Sequence, residues 1–263
     1  MRDEIMPLTN QVIVVTGASS GIGAMAAQML SERGAIVILA ARSMDKLEKI
    51  GAGLRGSYRL LSMDVGNDQS VEDGFKEIYS QYGRVDCLLN NAGYGKFTYC
   101  DEMQLDEFSA MMNVNYMGIV RCTKAVLPYM KQARAGRIVN VASIAGKLGT
   151  SKSTAYTATK HAVLGFSSAL RQEVREYGIK VTSINPGPID TPFFNLADPS
   201  GHYVNNVKWF MMKPERVARA IVSAVEKGPV EVNLPWVAGA GAKFYQLCPR
   251  LADMLSYRML NKK

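Results

Sequence analysis

Two side chains in the second half of the chain have the types and spacing needed for proton transfer. Tyr156 and Lys160 lie four residues apart in a helical pattern, so they share one helix face about one turn apart. A free phenol has a pKa of about 10 and is a poor base at neutral pH. An ammonium ion ~5 Å away, at an effective dielectric constant of ~20, favours the phenolate by about 3 kcal/mol, or roughly two pKa units. Tyr156 is therefore a candidate general acid and base.

Ser143 is the third candidate for this chemistry. It ends a predicted strand before the helix that carries Tyr156, and its hydroxyl can donate to an oxygen on which negative charge develops. A Tyr-x3-Lys pair by itself is often only a surface pair on a helix, so the hypothesis depends on the serine. The chain has only two histidines, and its four cysteines are scattered without a CxxC pair, so no metal site is expected.

Seven apolar runs separated by helical patterns predict the elements that position these residues. Helical patterns lie at 67–82, 104–133, 154–177 and 214–227, and Ser43 is a candidate N-cap for a shorter helix. Strands that alternate with helices imply a parallel sheet covered on both faces. We therefore predict the α/β class, as a single doubly wound Rossmann-type domain spanning 1–263. The predicted strands are 11–16, 36–41, 58–63, 85–90, 137–143, 180–185 and 230–234.

A glycine-rich turn follows the first predicted strand and opens a helix. Glycine permits a tight turn and a close approach of the backbone to a pyrophosphate, and the helix N-terminus favours its negative charge. An ordinary turn is the alternative, but the place between the first strand and a helix favours dinucleotide binding. The candidate binding residues here are Gly17, Ser19, Ser20, Gly21, Ile22 and Gly23.

The residue after the second predicted strand indicates which dinucleotide. That strand ends Ala40-Ala41 without the carboxylate that would bind a ribose 2′-hydroxyl. Arg42 follows, and its guanidinium can pair with a 2′-phosphate through two hydrogen bonds. A solvated surface arginine is the alternative. The sequence therefore favours NADP(H) over NAD(H).

These motifs, taken in order, resemble those of the short-chain dehydrogenase/reductase family. The match includes the Thr-Gly-x3-Gly-x-Gly turn, Asn90-Asn91-Ala92-Gly93 after the fourth strand, and Pro186-Gly187 near the end. Asn115, Ser143 and the Tyr156-x3-Lys160 pair occur between them in the family's spacing. The resemblance covers roughly residues 9–235.

The resemblance implies roles for the matching residues. Tyr156 would be the acid in carbonyl reduction and the base in alcohol oxidation, while Lys160 would hydrogen-bond the nicotinamide ribose. Asn115 would hold a water that links Lys160 to solvent. Asp64 and Val65 would border the adenine, although Asp64 is also a candidate cap for the next helix. Ser20 stands where the family often has a second basic residue. Further cofactor contacts would come from Asn91, Ala92, Gly93, Pro186, Gly187, Ile189 and Thr191.

The segment 190–213 is long for a connection inside a domain, which favours a substrate lid. Its aromatic residues, with walls at 94–99 and 144–150, favour an apolar carbonyl substrate, unless they only anchor the lid on the core. The stretches at 127–130 and 169–173 resemble a branch that reduces lipophilic ketones. A 3-oxoacyl-thioester reductase is an alternative, although those relatives typically carry a basic residue at the position of Pro128. A non-catalytic NADP-binding regulator or scaffold is another, although such relatives usually lose the tyrosine or lysine. The aromatic lid residues are Phe193, Phe194, Tyr203, Trp209 and Phe210.

Composition and charge limit the partners. The net charge is +8, but lysine and arginine are dispersed and no basic run predicts nucleic-acid binding. With no secretory signal or apolar span apparent, and with unpaired cysteines, we expect a cytoplasmic protein. The resemblance implies a homodimer or homotetramer built on the patterns at 104–133 and 154–177.

The family resemblance fades in the C-terminal segment 239–263, where apolar residues recur at helical spacing among cations. Pro249 suits the first turn of a second short helix. The stripe either closes the pocket or packs on another subunit, or it lies weakly on an anionic membrane surface. Its apolar members are Phe244, Leu247, Cys248, Leu251, Leu255 and Met259.

Overall fold

The computed structural model describes residues 5–252 and residue 254. Seven parallel strands form one sheet in the order β3-β2-β1-β4-β5-β6-β7, which confirms the predicted fold class. All seven predicted strands are present, with ends that shift by at most two residues. The strands are β1 (Val12–Thr16), β2 (Ile36–Ala41), β3 (Tyr58–Ser62), β4 (Cys87–Asn90), β5 (Gly136–Val141), β6 (Ile179–Pro186) and β7 (Glu231–Leu234).

Helices cover both faces of the sheet, because the strands are apolar on both sides. In β1, Val12 and Val14 pack into one core cluster, while Ile13 and Val15 pack into the other. Such two-sided burial is what a central parallel strand requires. The helices are α1 (Gly21–Glu32), α2 (Met44–Gly51), α3 (Asp68–Tyr82), α4 (Leu105–Met112), α5 (Gly118–Ala133), α6 (Thr154–Val174), α7 (Phe193–Ala197), α8 (His202–Val207), α9 (Pro214–Lys227) and α10 (Trp236–Leu247).

The long helix predicted at 104–133 is divided in the structure. A π turn at Asn113–Met117 separates α4 from α5. The turn contains Asn115, whose side chain bonds to a neighbouring loop, and ends at Gly118, where a Cβ atom would come within 2.8 Å of the Val65 side chain. The predicted helix at 154–177 likewise ends as α6 at Val174 and continues as a 3₁₀ turn. The contacts of Asn115 and Gly118 with the loops after β4 and β3 accompany the break in the helix predicted at 104–133, and side-chain periodicity does not reveal such contacts.

The direction of strand order reverses between β1 and β4, and a crevice opens at their carboxyl ends. The Thr16 hydroxyl ties the two strands together by accepting from the backbone N–H groups of Asn91 and Ala92, at 2.9 and 3.1 Å. Within the described part of the chain, helices fall short of the length and apolarity that crossing a membrane requires. All four cysteines are free thiols.

Candidate active site

The glycine turn joins β1 to α1 at the edge of the crevice. Gly17 has φ +66°, and a Cβ there would come within 2.8 Å of the Ala92 Cα, so a larger residue would force the two loops apart. Ser20 caps α1 in an extended conformation without a side-chain hydrogen bond to the helix. The N–H groups of the first turn are thus left to face the crevice. This arrangement fits a pyrophosphate.

One cavity of 1770 Å³ runs along the carboxyl edge of the sheet. It exceeds the roughly 300–1000 Å³ usual for one small ligand, so it has room for a dinucleotide and a substrate. Gly23 and Asn115 do not line it. Every other predicted site residue does: Gly17, Ser19, Ser20, Gly21, Ile22, Arg42, Asp64, Val65, Asn91, Ala92, Gly93, Ser143, Tyr156, Lys160, Pro186, Gly187, Ile189 and Thr191.

Gly23 has a packing role. A Cβ at this position would lie 2.3 Å from the Asn91 Nδ2 and 2.6 Å from the Gly17 carbonyl oxygen. The Asn91 amide donates to the carbonyl oxygens of Thr16 and Gly17, at 3.0 and 3.2 Å. The third glycine therefore lets Asn91 brace the turn, and it supports the binding site from behind.

Ser143, Tyr156 and Lys160, the three candidates for proton transfer, all line the cavity. The Ser143 hydroxyl, which follows β5, is hydrogen-bonded to Tyr156, and it also accepts from Ala145 N at 3.0 Å. Lys160 is buried one turn along α6, where its Nζ donates to the Val141 carbonyl at 2.9 Å. The same Nζ lies 5.6 Å from the centre of the Tyr156 ring. The structure thus brings together the serine, tyrosine and lysine that the sequence singled out.

Burial governs the charge states of Tyr156 and Lys160. Desolvation raises the pKa of Tyr156 to about 12, and the hydrogen bond with Ser143 only partly opposes the rise. Desolvation also lowers the pKa of Lys160 to about 8. The expectation that the tyrosine pKa falls by two units beside the lysine is wrong, because loss of solvent disfavours the phenolate and raises this pKa. Tyr156 is consequently a neutral proton donor at pH 7.

Asn115 organises the loop beside Tyr156 and Lys160. Its Oδ1 accepts from Tyr94 N at 2.9 Å, and its Nδ2 donates to Tyr94 O at 2.8 Å and to the Thr159 hydroxyl at 3.1 Å. The side chain is fully buried and committed to these contacts. The predicted role of Asn115 in holding a water beside Lys160 stays a prediction.

The end of the cavity at β2 contains a cation that sequence reasoning missed. Lys46, in the first turn of α2, lines the cavity together with Arg42 and Ser43. Ser43 is the N-cap of α2, as predicted, and it brings Lys46 to the same end as Arg42. The sequence signal that could have identified Lys46 is its place three residues after Ser43, the N-cap of the helix that follows the second strand. Two cations near a strand end without a carboxylate suit a 2′-phosphate.

Asp64 does not cap α3, which corrects one of its two predicted roles. Asn67 is the N-cap and accepts from Ser70 N at 2.8 Å. The Asp64 carboxylate instead accepts from Gly66 N at 2.8 Å and closes the loop after β3. Asp64 and Val65 both line the cavity, so the loop can border an adenine.

Aromatic rings enclose the outer half of the cavity around Tyr156. Phe193 lies 5.7 Å and Phe97 6.1 Å from the Tyr156 ring, measured between ring centres. Phe194 and Tyr203 complete the cluster, each within 6.3 Å of Phe97. The segment 190–213 forms α7, α8 and a 3₁₀ turn, and several of its aromatics face the cavity rather than the core. This wall suits an apolar substrate.

The C-terminal segment supplies another wall. Val237, Phe244, Tyr245 and Ala252 line the cavity. Of the predicted apolar stripe, only Phe244 among the described residues does so, whereas Leu247, Cys248 and Leu251 are exposed and do not line it. Residues 249–252 begin a further helical segment after a break at Cys248, so the predicted pair of short helices is present as far as the description extends. Leu255 and Met259 lie outside the described residues.

Comparison with known proteins gives consistent matches. A family model described as short chain dehydrogenase matches residues 11–200. The chain is 44% identical over 194 residues to a 3-ketodihydrosphingosine reductase of Bacteroides thetaiotaomicron, covering 73% of this chain and 70% of that protein. It is 36% identical over 228 residues to an uncharacterized oxidoreductase of Staphylococcus aureus, covering 86% and 95%.

Solved structures are similar over most of the chain. A short-chain dehydrogenase from Streptomyces avermitilis superimposes with a TM-score of 0.83 at 28% identity, covering 97% of this chain and 98% of that one. A levodione reductase superimposes with a TM-score of 0.78, also at 28% identity, covering 86% and 96%.

Proposed function

Because this chain belongs to the short-chain dehydrogenase family, we propose that it is an NADPH-dependent oxidoreductase that interconverts a lipophilic ketone and its alcohol. Family membership supports oxidoreductase chemistry on C=O and CH–OH groups with a nicotinamide cofactor. The cofactor preference and the substrate class are proposals that rest on the residues of the cavity.

The hydroxyl of Tyr156, hydrogen-bonded to Ser143 inside an aromatic cavity, carries the proposal. A substrate carbonyl oxygen here accepts from both hydroxyls. Reduced nicotinamide, when bound, supplies the hydride that the carbonyl carbon gains. Tyr156 gives its proton to the oxygen, and the resulting phenolate is stabilised by Lys160 until it is reprotonated. In the reverse direction the phenolate removes the alcohol proton.

Ser143 is poised to change partners in this step. Its hydroxyl donates to the Pro186 carbonyl oxygen, and the 3.3 Å between the two oxygens makes this a long hydrogen bond. A substrate oxygen that carries developing negative charge is a stronger acceptor than this carbonyl. The Ala145 N–H holds the serine oxygen in place at 3.0 Å while the proton turns to the substrate.

The preference for NADPH rests on Arg42 and Lys46. Both line the cavity at the end of β2, and Ala41 ends that strand without a carboxylate. Two cations favour a ligand with an additional phosphate, whereas an acidic residue would have favoured the free 2′-hydroxyl.

The proposal of a lipophilic substrate rests on the aromatic wall formed by Phe97, Phe193 and Phe194. The similarity to a 3-ketodihydrosphingosine reductase and to a levodione reductase supports a ketone rather than a small hydroxy acid.

We also propose a symmetric dimer or tetramer built on α4, α5 and α6. A cytoplasmic location is the hypothesis that the free thiols favour.

The test is oxidation of NADPH by the purified chain with a panel of carbonyl compounds. The panel holds methyl ketones of increasing chain length, a cyclic dione, a 3-oxoacyl thioester and a small 2-keto acid. We expect kcat/KM to rise with the apolar size of the ketone and to be lowest for the keto acid. A folded protein that binds NADPH but reduces none of them would favour a regulatory or scaffold role.

A further inference from the structure

The chain has two tryptophans, and both are exposed beside the mouth of the cavity. Trp209, in the 3₁₀ turn after α8, is 84% exposed and lines the cavity. Trp236, the first residue of α10, is 74% exposed and lies between Pro235 and Val237, which both line the cavity. Tryptophan is a costly side chain to leave in water, and its two copies here share one location.

Helix α10 is oriented opposite to an ordinary surface helix. It packs on the domain through its small residues, Gly239 and Ala242, which are buried. A Cβ on Gly239 would come within 2.6 Å of the Asn233 Cβ, so the helix backbone lies close against β7. Its large apolar residues either line the cavity, as Phe244 does, or point to solvent, and Leu247 is 81% exposed. An amphipathic helix of a water-soluble domain has the reverse arrangement.

The lid contributes to the same surface. Leu196 and Phe210 line the cavity and are nevertheless exposed, which locates them at its opening. Val237 and Phe244 of α10 have the same two properties. We call these four residues and Trp209, together with Trp236 and Leu247 of α10, the rim; the first five line the cavity, and all seven are exposed. Clustered exposed apolar residues of this kind mark sites of interaction.

Cations accompany the rim. Segments 190–213 and 236–250 contain four lysines and arginines against two carboxylates, a net charge of 4 − 2 = +2. Asp190 is exposed, and Asp198 accepts from the Ser200 hydroxyl and from the backbone N–H of Val204. Lys243 also interacts electrostatically with Glu231, but that carboxylate forms a salt bridge with Lys147. The four cations are all exposed: Lys208, Lys213, Lys243 and Arg250.

We propose that the rim docks on the surface of an anionic lipid bilayer, with the cavity mouth facing the lipid. Exposed tryptophans beside lysines suit the interface between headgroups and acyl chains. A basic surface adds attraction to anionic headgroups. A second copy of the chain is a poorer occupant, because a symmetric contact would bring the two basic surfaces together. Resting on the proposed function, the docking lets a lipophilic ketone enter from the bilayer.

The experiment uses the full chain, without NADPH or substrate, and two kinds of vesicle. One kind is phosphatidylcholine alone, and the other contains a fraction of phosphatidylglycerol. We expect sedimentation with the anionic vesicles to exceed that with the neutral ones about tenfold, and salt to weaken it. Since both tryptophans belong to this surface, their emission should shift to shorter wavelength on binding. An unshifted spectrum with no sedimentation would overturn the proposal.

A matched pair of leucine variants tests the location. Leu247→Ser should lower binding to anionic vesicles about tenfold. Leu105→Ser removes an equally exposed leucine, 84% against 81%, that lies in α4 and outside the rim, and it should leave binding unchanged. Lys208→Gln should lower binding about fivefold, at roughly 1 kcal/mol for each basic residue. Equal loss in both leucine variants would contradict a docking surface at the rim.

Light scattering separates the bilayer from a second copy. If Leu247→Ser reduces the oligomer size while vesicle binding is absent from the wild type, the rim is a subunit interface and the proposal is wrong. Reduction of a water-soluble ketone should be unaffected by Leu247→Ser. Docking and catalysis are thus measured independently, and failure of one leaves the result for the other intact.

Discussion

At the scale of single residues, burial moves the pKa values of Tyr156 and Lys160 in opposite directions. The tyrosine pKa rises to about 12 and the lysine pKa falls to about 8. At neutral pH the phenol therefore keeps its proton, while most of the lysine remains charged. This protonation state suits the proposed reduction, in which Tyr156 must give up a proton.

Removal of that proton donor should stop the reaction without unfolding the protein. Tyr156→Phe should bind NADPH and fold normally but lose turnover by about 100-fold or more. Tyr203→Phe is the matched control. It removes a phenol hydroxyl from the same cavity, but Tyr203 has no lysine one turn away on its helix. Steady-state kinetics with the best ketone measure both. Near-normal turnover in Tyr156→Phe would refute the assignment.

Lys160 predicts a pH dependence of stability. Its pKa is about 8 in the folded chain and 10.5 in the unfolded chain, so between these values the unfolded state binds more protons. The free energy of unfolding should therefore rise with pH in that window, by about 1.4 kcal/mol per pH unit from this group. Urea titrations of wild type and Lys160→Met at pH 8, 9 and 10, all without cofactor, isolate the effect. A constant difference between the two proteins would contradict it.

Arg42 and Lys46 predict cofactor choice. Each alanine substitution should weaken NADPH binding by about tenfold or more, because a charge-assisted hydrogen bond is lost. NADH, which lacks the 2′-phosphate, should bind each variant as it binds the wild type and serves as the internal control. Fluorescence titration measures both ligands. Equal affinity of the wild type for NADPH and NADH would eliminate this interpretation.

At the scale of elements, the cavity depends on how closely α10 lies against β7. Gly239 lies on the buried side of α10, where a Cβ would meet the Asn233 side chain at 2.6 Å. Gly241 is in the same helix with nothing within 4 Å of its Cβ position. Two glycines in one helix therefore differ in packing while sharing the same helix propensity.

This contrast gives a paired prediction. Gly239→Ala should destabilise the chain by about 1–3 kcal/mol, since the helix must move away from β7. Gly241→Ala should be neutral or stabilising by up to about 1 kcal/mol, because alanine is the better helix former. Chemical denaturation compares the two. Stabilisation of similar size in both variants would show that α10 does not pack tightly on the sheet.

At the scale of the whole molecule, α6 carries a feature that suits the proposed oligomer. Gly165 is exposed in the middle of the helix, and nothing lies within 4 Å of its Cβ position. A glycine there costs about 1 kcal/mol relative to alanine, and contacts in the isolated chain do not require it. A glycine at this position leaves the surface of α6 flat enough for a second helix to pack closely, which is a physical reason for Gly165.

Light scattering should accordingly give a mass two or four times the chain mass of 28.8 kDa. Gly165→Arg should reduce it by blocking the approach of the second helix. Gln69→Arg, which adds the same charge on the exposed face of α3, is the control and should leave the mass unchanged. A wild-type monomer at micromolar concentration would exclude the proposed assembly.

The sequence by itself determined the class of fold and the positions of all seven strands and of most helices, although not of α7 and α8 in the lid. Apolar runs such as 36–41 and periodic stretches such as 214–227 are local signals, because side-chain periodicity follows from backbone geometry. The glycine turn and the Tyr156–Lys160 pair were equally readable, since their chemistry depends on short spacing. Each lies within one element or one turn, so no distant contact was needed to recognise it.

Only the tertiary structure decided what depends on residues far apart in the chain. Desolvation by surrounding elements, rather than the charge of Lys160, controls the pKa of Tyr156. Contacts with Tyr94 engage the side chain of Asn115, in a π turn that helical periodicity had hidden. Packing of α10 through small residues placed its large ones at the cavity and in solvent. Burial is a property of the assembled fold, because each side chain loses water only when distant segments close over it.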